Sequence, residues 1–176
     1  MNGTVILYKS KYGAAKKYAE LLGAELSCSL LENSGLHAEQ VGEYDNIVLC
    51  GGIYASGVAG ISFLKKNYDA LKEKNIVVFA VGASPYDEKI ILELKQRNLA
   101  GELSGIPLFY GRGAWDEEGM SWMDRTLCGM LKKSVKKKDP NLYEPWEKAL
   151  VEAFGKKCDW VDIKYLKPAI EYLQIQ

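Results

Sequence analysis

Apolar runs of strand length alternate with helical stripes along most of this chain. Thr4-Val5-Ile6-Leu7-Tyr8 reads as a first strand and opens through Lys9–Gly13 into a helical pattern. From Ala14 to Leu22, residues Ala15, Tyr18, Ala19 and Leu22 share one helical face with lysines opposite, and Gly23 supplies a stop. Leu26 to Leu31 alternates and predicts a short second strand at an edge. Asn46-Ile47-Val48-Leu49-Cys50 and Asn75–Val81 are apolar throughout, the pattern of strands buried on both faces of a parallel sheet. Between them Ile61, Leu64, Tyr68 and Leu71 recur at core-facing helical spacing. Ile90, Ile91 and Leu94 mark a helix running to about Asn98, and Pro107-Leu108-Phe109-Tyr110 predicts the last strand.

Beyond that strand the period is helical. Met123, Leu127, Met130 and Leu131 form one stripe, and Trp146, Leu150 and Phe154 form another after Pro145. Leu166, Ile170 and Leu173 fall in register over Asp162–Leu173, with Pro168 near the helix start or at a kink. There is no internal repeat and no linker between two cores. The expectation is one α/β domain over residues 1–176 with a parallel sheet, and a helical excursion at about 115–140 after the last strand.

Composition narrows the function classes. A chain of 176 residues, 48% hydrophobic, can bury a core without metal or disulfide support. Acids and bases balance at 23 each, which argues against a nucleic-acid binder and against a strongly acidic docking face. Cys28, Cys50, Cys128 and Cys158 lie far apart with no C-x-x-C pair. That fits neither a zinc site nor a disulfide framework and predicts a reducing, cytoplasmic setting. No apolar run approaches a membrane span, so a soluble protein is expected, and no metal site is assigned. The lone His37 sits in a polar passage and is given no role.

The chemistry-bearing residues lie in three loops. Ligands of open parallel sheets bind beyond the carboxyl ends of the strands, where strand order reverses. The loops after the first, third and fourth predicted strands gather at that edge. In the first, Ser10-Lys11-Tyr12-Gly13-Ala14-Ala15 offers backbone N–H groups at a helix start, a natural seat for an anion. The second, Gly51–Gly57, contains Gly52, Ile53, Tyr54, Ala55 and Ser56. The third holds Gly82, Ala83, Ser84, Pro85 and Tyr86. Ser84 as N-cap, Pro85 at the first helical position and Asp87 three residues on also satisfy a capping box, and Tyr54 and Tyr86 equally suit structural roles. Taken with the phosphate turn, the two glycine loops and their tyrosines favour a flat heterocycle, a flavin above others. The competing motifs fail. There is no G-x-x-x-x-G-K-[ST], no G-x-G-x-x-G after the first strand, and no G-x-S-x-G. A receiver domain needs carboxylates where Lys9, Ser10 and Lys11 stand.

On these residues the chain resembles the flavodoxin-domain proteins, especially the group that includes menaquinone-dependent protoporphyrinogen oxidases. The similarity runs from Val5 to about Lys133. Ser10 and Gly13 match the family phosphate loop, while Tyr12 and Ala15 stand where the family usually has hydroxyl residues. Gly51–Ala55 resembles the isoalloxazine-contacting loop, and Gly82–Pro85 the loop on the other side of the ring. Trp122-Met123-Asp124-Arg125 followed by Leu131-Lys132-Lys133 is similar to a helix those oxidases carry after the last strand, where it is implicated in substrate or quinone access and membrane association.

The resemblance implies a flavodoxin-like three-layer sandwich with a five-stranded parallel sheet of order 2-1-3-4-5. It also implies FMN held by Ser10–Ala15, Gly52–Ser56 and Gly82–Tyr86. The expected function is an FMN-binding redox protein passing electrons through a non-covalent flavin to a redox partner. The alternatives are an FMN-dependent oxidoreductase acting on a quinone or protoporphyrinogen-like substrate, and a flavodoxin fold with weakened or lost FMN binding. No residue is assigned as catalytic; Arg112, Trp115 and Trp122 are expected to roof any substrate pocket. Lys132–Lys138 offers a basic stretch for peripheral membrane contact or an anionic partner, against the alternative of a packed helix with a solvated lysine face.

Overall fold

The computed structural model describes residues 3–175. Strand β1 (Thr4–Lys9) leads into helix α1 (Ala14–Leu26), and β2 (Ser29–Glu32) follows. Next come β3 (Asn46–Tyr54), β4 (Gly57–Val58), α2 (Ile61–Leu71), β5 (Asn75–Gly82) and α3 (Glu88–Asn98). The chain closes with β6 (Leu108–Arg112), β7 (Ala114–Asp116), α4 (Trp122–Val135), α5 (Pro145–Ala153), β8 (Lys157–Asp159) and α6 (Lys167–Ile175).

The sheet order is β2-β1-β3-β5-β6, all parallel, which is the expected 2-1-3-4-5 arrangement. The short β4 adds a sixth, antiparallel strand on β3. The continuous apolar runs have a direct cause, because successive side chains point to opposite faces and both faces are covered. Val5, Leu7, Ile47, Leu49, Ile76 and Val78 pack with Phe63, Leu64 and Leu71 of α2 and Leu94 of α3. Ile6, Val48, Cys50, Val77 and Phe79 pack with Tyr18 and Leu22 of α1 and Leu166, Ala169 and Leu173 at the C-terminal end. This is a three-layer sandwich.

Several local expectations are corrected. Gly23 does not end α1; the helix runs on to Leu26 and stops at Ser27, whose φ of 50° is left-handed. Here the glycine makes room for the end of the Leu30 side chain of β2, which occupies the space a Cβ would take. The second strand starts at Ser29 rather than Leu26 because α1 consumes those residues. Gly51–Tyr54 is not loop but the continuation of β3, turned back through Ala55 and Ser56 into β4. Helix α3 begins three residues later than the Ser84 capping box predicts. Asp87 is the N-cap and accepts the Ile90 N–H at 3.1 Å, leaving Ser84, Pro85 and Tyr86 in the loop. His37 begins a short 3₁₀ turn, its N–H donating to Gln40 Oε1 at 2.9 Å.

The C-terminal third differs most. The excursion opens with β7, which pairs antiparallel with β8 in a separate two-stranded ribbon. In α4 the apolar stripe does not pack: Met123, Leu127, Met130 and Leu131 are exposed, and Val135 is its buried residue. In α5 the buried face is Glu147, Ala149 and Ala153, while Trp146, Leu150 and Phe154 are half-buried. Among the described residues no helix is long and apolar enough to cross a membrane, and no group of His, Cys, Asp and Glu could hold a metal ion.

Candidate functional site

The parallel strands β1, β3, β5 and β6 end side by side, and their C-terminal loops enclose a cleft of about 400 Å³. Tyr12, Ala14 and Ala15 line it from the first loop, Gly52–Ala55 from the β3 hairpin, and Gly82 and Ala83 from the end of β5. Gly113, Ala114 and Trp115 line it from the end of β6 and β7, and Met120, Asp124, Leu127, Cys128 and Leu131 from α4 and the turn before it.

At the first loop, α1 begins on Gly13, whose φ of 92° is a left-handed conformation that a side chain would strain. No side chain caps this helix and no acid sits in its first turn. Its leading N–H groups therefore present positive potential where Ala14 and Ala15 meet the cleft. Ser10 Oγ accepts the Gly13 N–H at 3.0 Å, folding the loop over, and the Tyr54 hydroxyl accepts the Lys11 N–H at 2.9 Å. Burial pushes the Tyr54 hydroxyl above its ordinary pKa, so it stays neutral.

The β3–β4 hairpin is set by close approach. A Cβ on Gly51 would strike the Ala59 carbonyl oxygen and lie 2.6 Å from Val58 Cγ1. At Gly52 a Cβ would lie 2.7 Å from the Tyr54 hydroxyl, so that glycine lets the tyrosine ring fold back over its own strand. On the far side Arg112 Nε donates to the Ala83 carbonyl at 2.9 Å, and its guanidinium stacks 3.8 Å from the Trp160 ring centre. Tyr110 donates to the Ser84 carbonyl at 2.5 Å. These bonds fix the β5 loop.

The predicted site residues divide. Ser10, Lys11 and Gly13 shape the first loop, and Tyr12, Ala14, Ala15, Gly52, Ile53, Tyr54, Ala55, Gly82 and Ala83 come together in the cleft. Ser56, Ser84 and Pro85 instead line a neighbouring cavity of about 710 Å³, bounded by Ile90, Leu94 and Arg97 of α3, which shares Ile53, Gly82 and Ala83 with the cleft. Tyr86 is exposed and packs against Tyr110 at 6.3 Å. Of the expected roof, Trp115 lines the cleft, Arg112 holds the β5 loop, and Trp122 points away at 81% exposure.

Asp124, which the sequence placed only in the Trp122–Arg125 resemblance, and Cys128 are polar cleft residues outside the predicted site. Asp124 accepts from the Tyr12 hydroxyl and from Lys11 Nζ at 2.5 Å, and the Lys11 ammonium holds its carboxyl below the usual range. Their spacing, i and i+4 on α4, was the available signal. Cys128 is a free thiol raised by burial first and by the Asp124 and Glu117 carboxylates second, so it stays protonated.

The sequence between residues 5 and 141 matches the flavodoxin domain family. The chain belongs to that family. No curated protein matches it. Among solved structures it is similar to two-electron reduced flavodoxin from Megasphaera elsdenii, at 18% identity over 61% of this chain and 82% of that one, with a TM-score of 0.45. A flavoprotein in complex with FMN from Lactobacillus acidophilus matches at 15% identity over 64% and 93%, TM-score 0.44. The Trp repressor binding protein from Bacillus subtilis matches at 15% over 62% and 84%, TM-score 0.47.

Two features of this flavodoxin domain test whether a phosphorylated flavin suits the cleft. Trp115 Nε1 is buried in a residue only 7% exposed and has no hydrogen-bond partner among the described residues, so a ligand acceptor is what would satisfy it. The uncapped start of α1 lines the same cleft at Ala14 and Ala15, ready for an anion. With the glycine-lined walls between them, the residues fit the group.

Proposed function

We propose that this protein is an FMN-binding redox protein that passes electrons through a non-covalently held flavin. The observation that carries the reading is the convergence of the uncapped α1 start, the β3 hairpin and the β5 loop on one cleft. The first loop would take the phosphate on the backbone N–H groups of Ala14 and Ala15, with Lys11 adding charge. Tyr54 and Ala55 on one side and Gly82 and Ala83 on the other would hold the ring, and Trp115 would donate to one of its acceptors. The bound flavin supplies the electron transfer, while the chain sets its environment. Ala55, at the tip of the β3 hairpin and on the cleft lining, would present its backbone to the ring.

A second reading is favoured by the α4 side of the cleft. Met120, Leu127 and Leu131 make an apolar wall beside Trp115, which suits a flat reductant or oxidant of the quinone class. In that reading the protein is an FMN-dependent oxidoreductase. The basic C-terminal end of α4, Lys132–Lys138, would then serve an anionic partner or a membrane surface.

The test is the visible spectrum of the purified protein, with and without added FMN, followed by titration of flavin fluorescence. Flavin absorption bands and quenching on binding are expected. Absence of both after incubation with FMN overturns the proposal. Reoxidation of the reduced protein by a soluble menaquinone analogue then separates the two readings: acceleration supports the oxidoreductase, and none supports the carrier.

A further inference from the structure

The first turn of α4 sits directly on the phosphate loop. Tyr12 and Lys11 both reach the Asp124 carboxylate, the Ser121 N–H donates to the Tyr12 hydroxyl at 3.1 Å, and Lys11 Nζ lies 3.4 Å from Ser121 Oγ. Ser121 is also the N-cap of α4, accepting the Asp124 N–H at 3.3 Å, so helix start and loop contact are one unit. The neighbouring lysines are engaged elsewhere: Lys16 with Glu20 at 3.9 Å and Lys17 with Asp159 at 2.6 Å. Lys11 is the loop cation that reaches α4, and a carboxylate of the chain already neutralises it.

Building on the FMN reading above, we propose that Asp124 is the specificity-determining residue of this loop. Its carboxylate holds the place beside Lys11 and Tyr12 where a cofactor phosphate would gather its charge. A phosphorylated flavin must displace the first turn of α4; an unphosphorylated one need not.

The energetics support an exchange of this kind. A phosphate monoester carries about −1.5 to −2 charges at neutral pH, and placing it beside an aspartate that shares one ammonium sets like charges against each other. The helix that carries Asp124 has its buried anchor at the other end, and its first turn is held by polar contacts. Trp122, Met123, Leu127 and Met130 are exposed, and the buried residue Val135 lies in the last turn. Just past that turn, Lys138 is tied to the buried Glu147 of α5 at 2.5 Å. A helix anchored at one end, with few buried apolar contacts at the other, opens locally at low cost. Riboflavin, which lacks the phosphate, brings no charge to Lys11 and leaves the contact in place.

The experiment compares wild type, Asp124→Asn and Asp124→Glu, reading FMN and riboflavin dissociation constants from flavin fluorescence. Inorganic phosphate is titrated in parallel against the amide resonances of Lys11, Tyr12 and Gly13. Asp124→Asn is expected to tighten FMN about tenfold and phosphate by a similar factor, with riboflavin changed less than about twofold; Asp124→Glu, which keeps the charge, stays near wild type. Weaker or unchanged FMN and phosphate binding in a folded Asp124→Asn protein overturns the proposal. So does an equal gain for riboflavin. If no variant binds either flavin but Asp124→Asn gains phosphate affinity, the FMN reading falls and the role of Asp124 stands. FMN binding that is indifferent to position 124 gives the converse.

Discussion

The Tyr54 hydroxyl, from the tip of β3, accepts the Lys11 backbone N–H at 2.9 Å, closing the loop between β1 and α1 with a side chain 43 residues away. On the FMN reading proposed above, that N–H is held back from a phosphate at the neighbouring Ala14 and Ala15 N–H groups. Tyr54→Phe removes the acceptor at a partly solvated position, so Lys11 can turn to water and the cost to the free protein is about 1 kcal/mol. With no internal bond to break, FMN should bind about fivefold more tightly. Urea unfolding and fluorescence titration of the same variant check both halves. Weaker FMN binding would mean that the hydroxyl contacts the cofactor itself.

Tyr18 makes a different use of a phenol. Fully buried, it donates to the Arg112 carbonyl at 2.6 Å and accepts the Asp162 N–H at 3.2 Å, tying α1 to the end of β6 and to the turn before α6. Burial pushes its pKa from 10.0 to about 12. The fold favours the neutral phenol, so this contribution is fully present below pH 10. It is lost as pH rises from 10 to 12, because the unfolded chain ionises first. Tyr18→Phe leaves two backbone groups without their partner and should lower stability by about 1–3 kcal/mol at neutral pH. The gap from wild type should narrow above pH 10, as followed by thermal unfolding across the alkaline range.

How far the sequence reveals this arrangement depends on the range of the forces involved. Runs such as Ile47–Cys50 and Ile76–Val81 are legible because burial on both faces leaves a local, continuous signature. The loops at Ser10–Ala15, Gly52–Ala55 and Gly82–Ala83 are legible because glycine at a strand end is rare without a geometric reason. Pairing between distant segments leaves no such trace. The ribbon of Ala114–Asp116 with Lys157–Asp159 joins short segments separated by two helices, neither patterned enough to read alone. The side of the hairpin on which Ser56 falls follows from the turn at Ala55 and Ser56, whose φ values of 47° and 64° are unusual for those residues. The α4 stripe has helical periodicity, but periodicity does not say whether a covering face exists, and here Met123 and Leu127 stay exposed, Leu127 at the edge of the cleft.

Glu147 anchors that same C-terminal region. Its side chain is 1% exposed, accepts from Lys138 Nζ at 2.5 Å and takes the Glu144 N–H at 2.9 Å in a capping box. The Lys138 ammonium holds its carboxyl below the ordinary 4.5. The stabilisation is therefore present above about pH 4.5 and is lost as pH falls through the lower folded value. Glu147→Gln should lower the melting temperature at neutral pH, and the deficit should shrink below pH 4.5. Equal deficits at both ends of the range would assign the residue a packing role alone.

Trp115 offers the sharpest separation of cofactor binding from folding. Its ring packs edge-on against Phe154 at 5.6 Å, a contact phenylalanine can keep, whereas its indole N–H is buried beside the cleft without a partner. An unpaired buried donor destabilises the free protein, so deleting it in Trp115→Phe relieves that penalty and offsets part of the lost ring area. The bound state has no such relief, since the donor is then satisfied by the ligand. Losing one neutral hydrogen bond of about 1 kcal/mol should weaken FMN about fivefold. Calorimetric melting of the free variant, set beside its FMN titration, reads the two effects apart. An unchanged dissociation constant would show that the indole N–H does not meet the flavin, and would return the apolar wall of Met120, Leu127 and Leu131 to a second ligand.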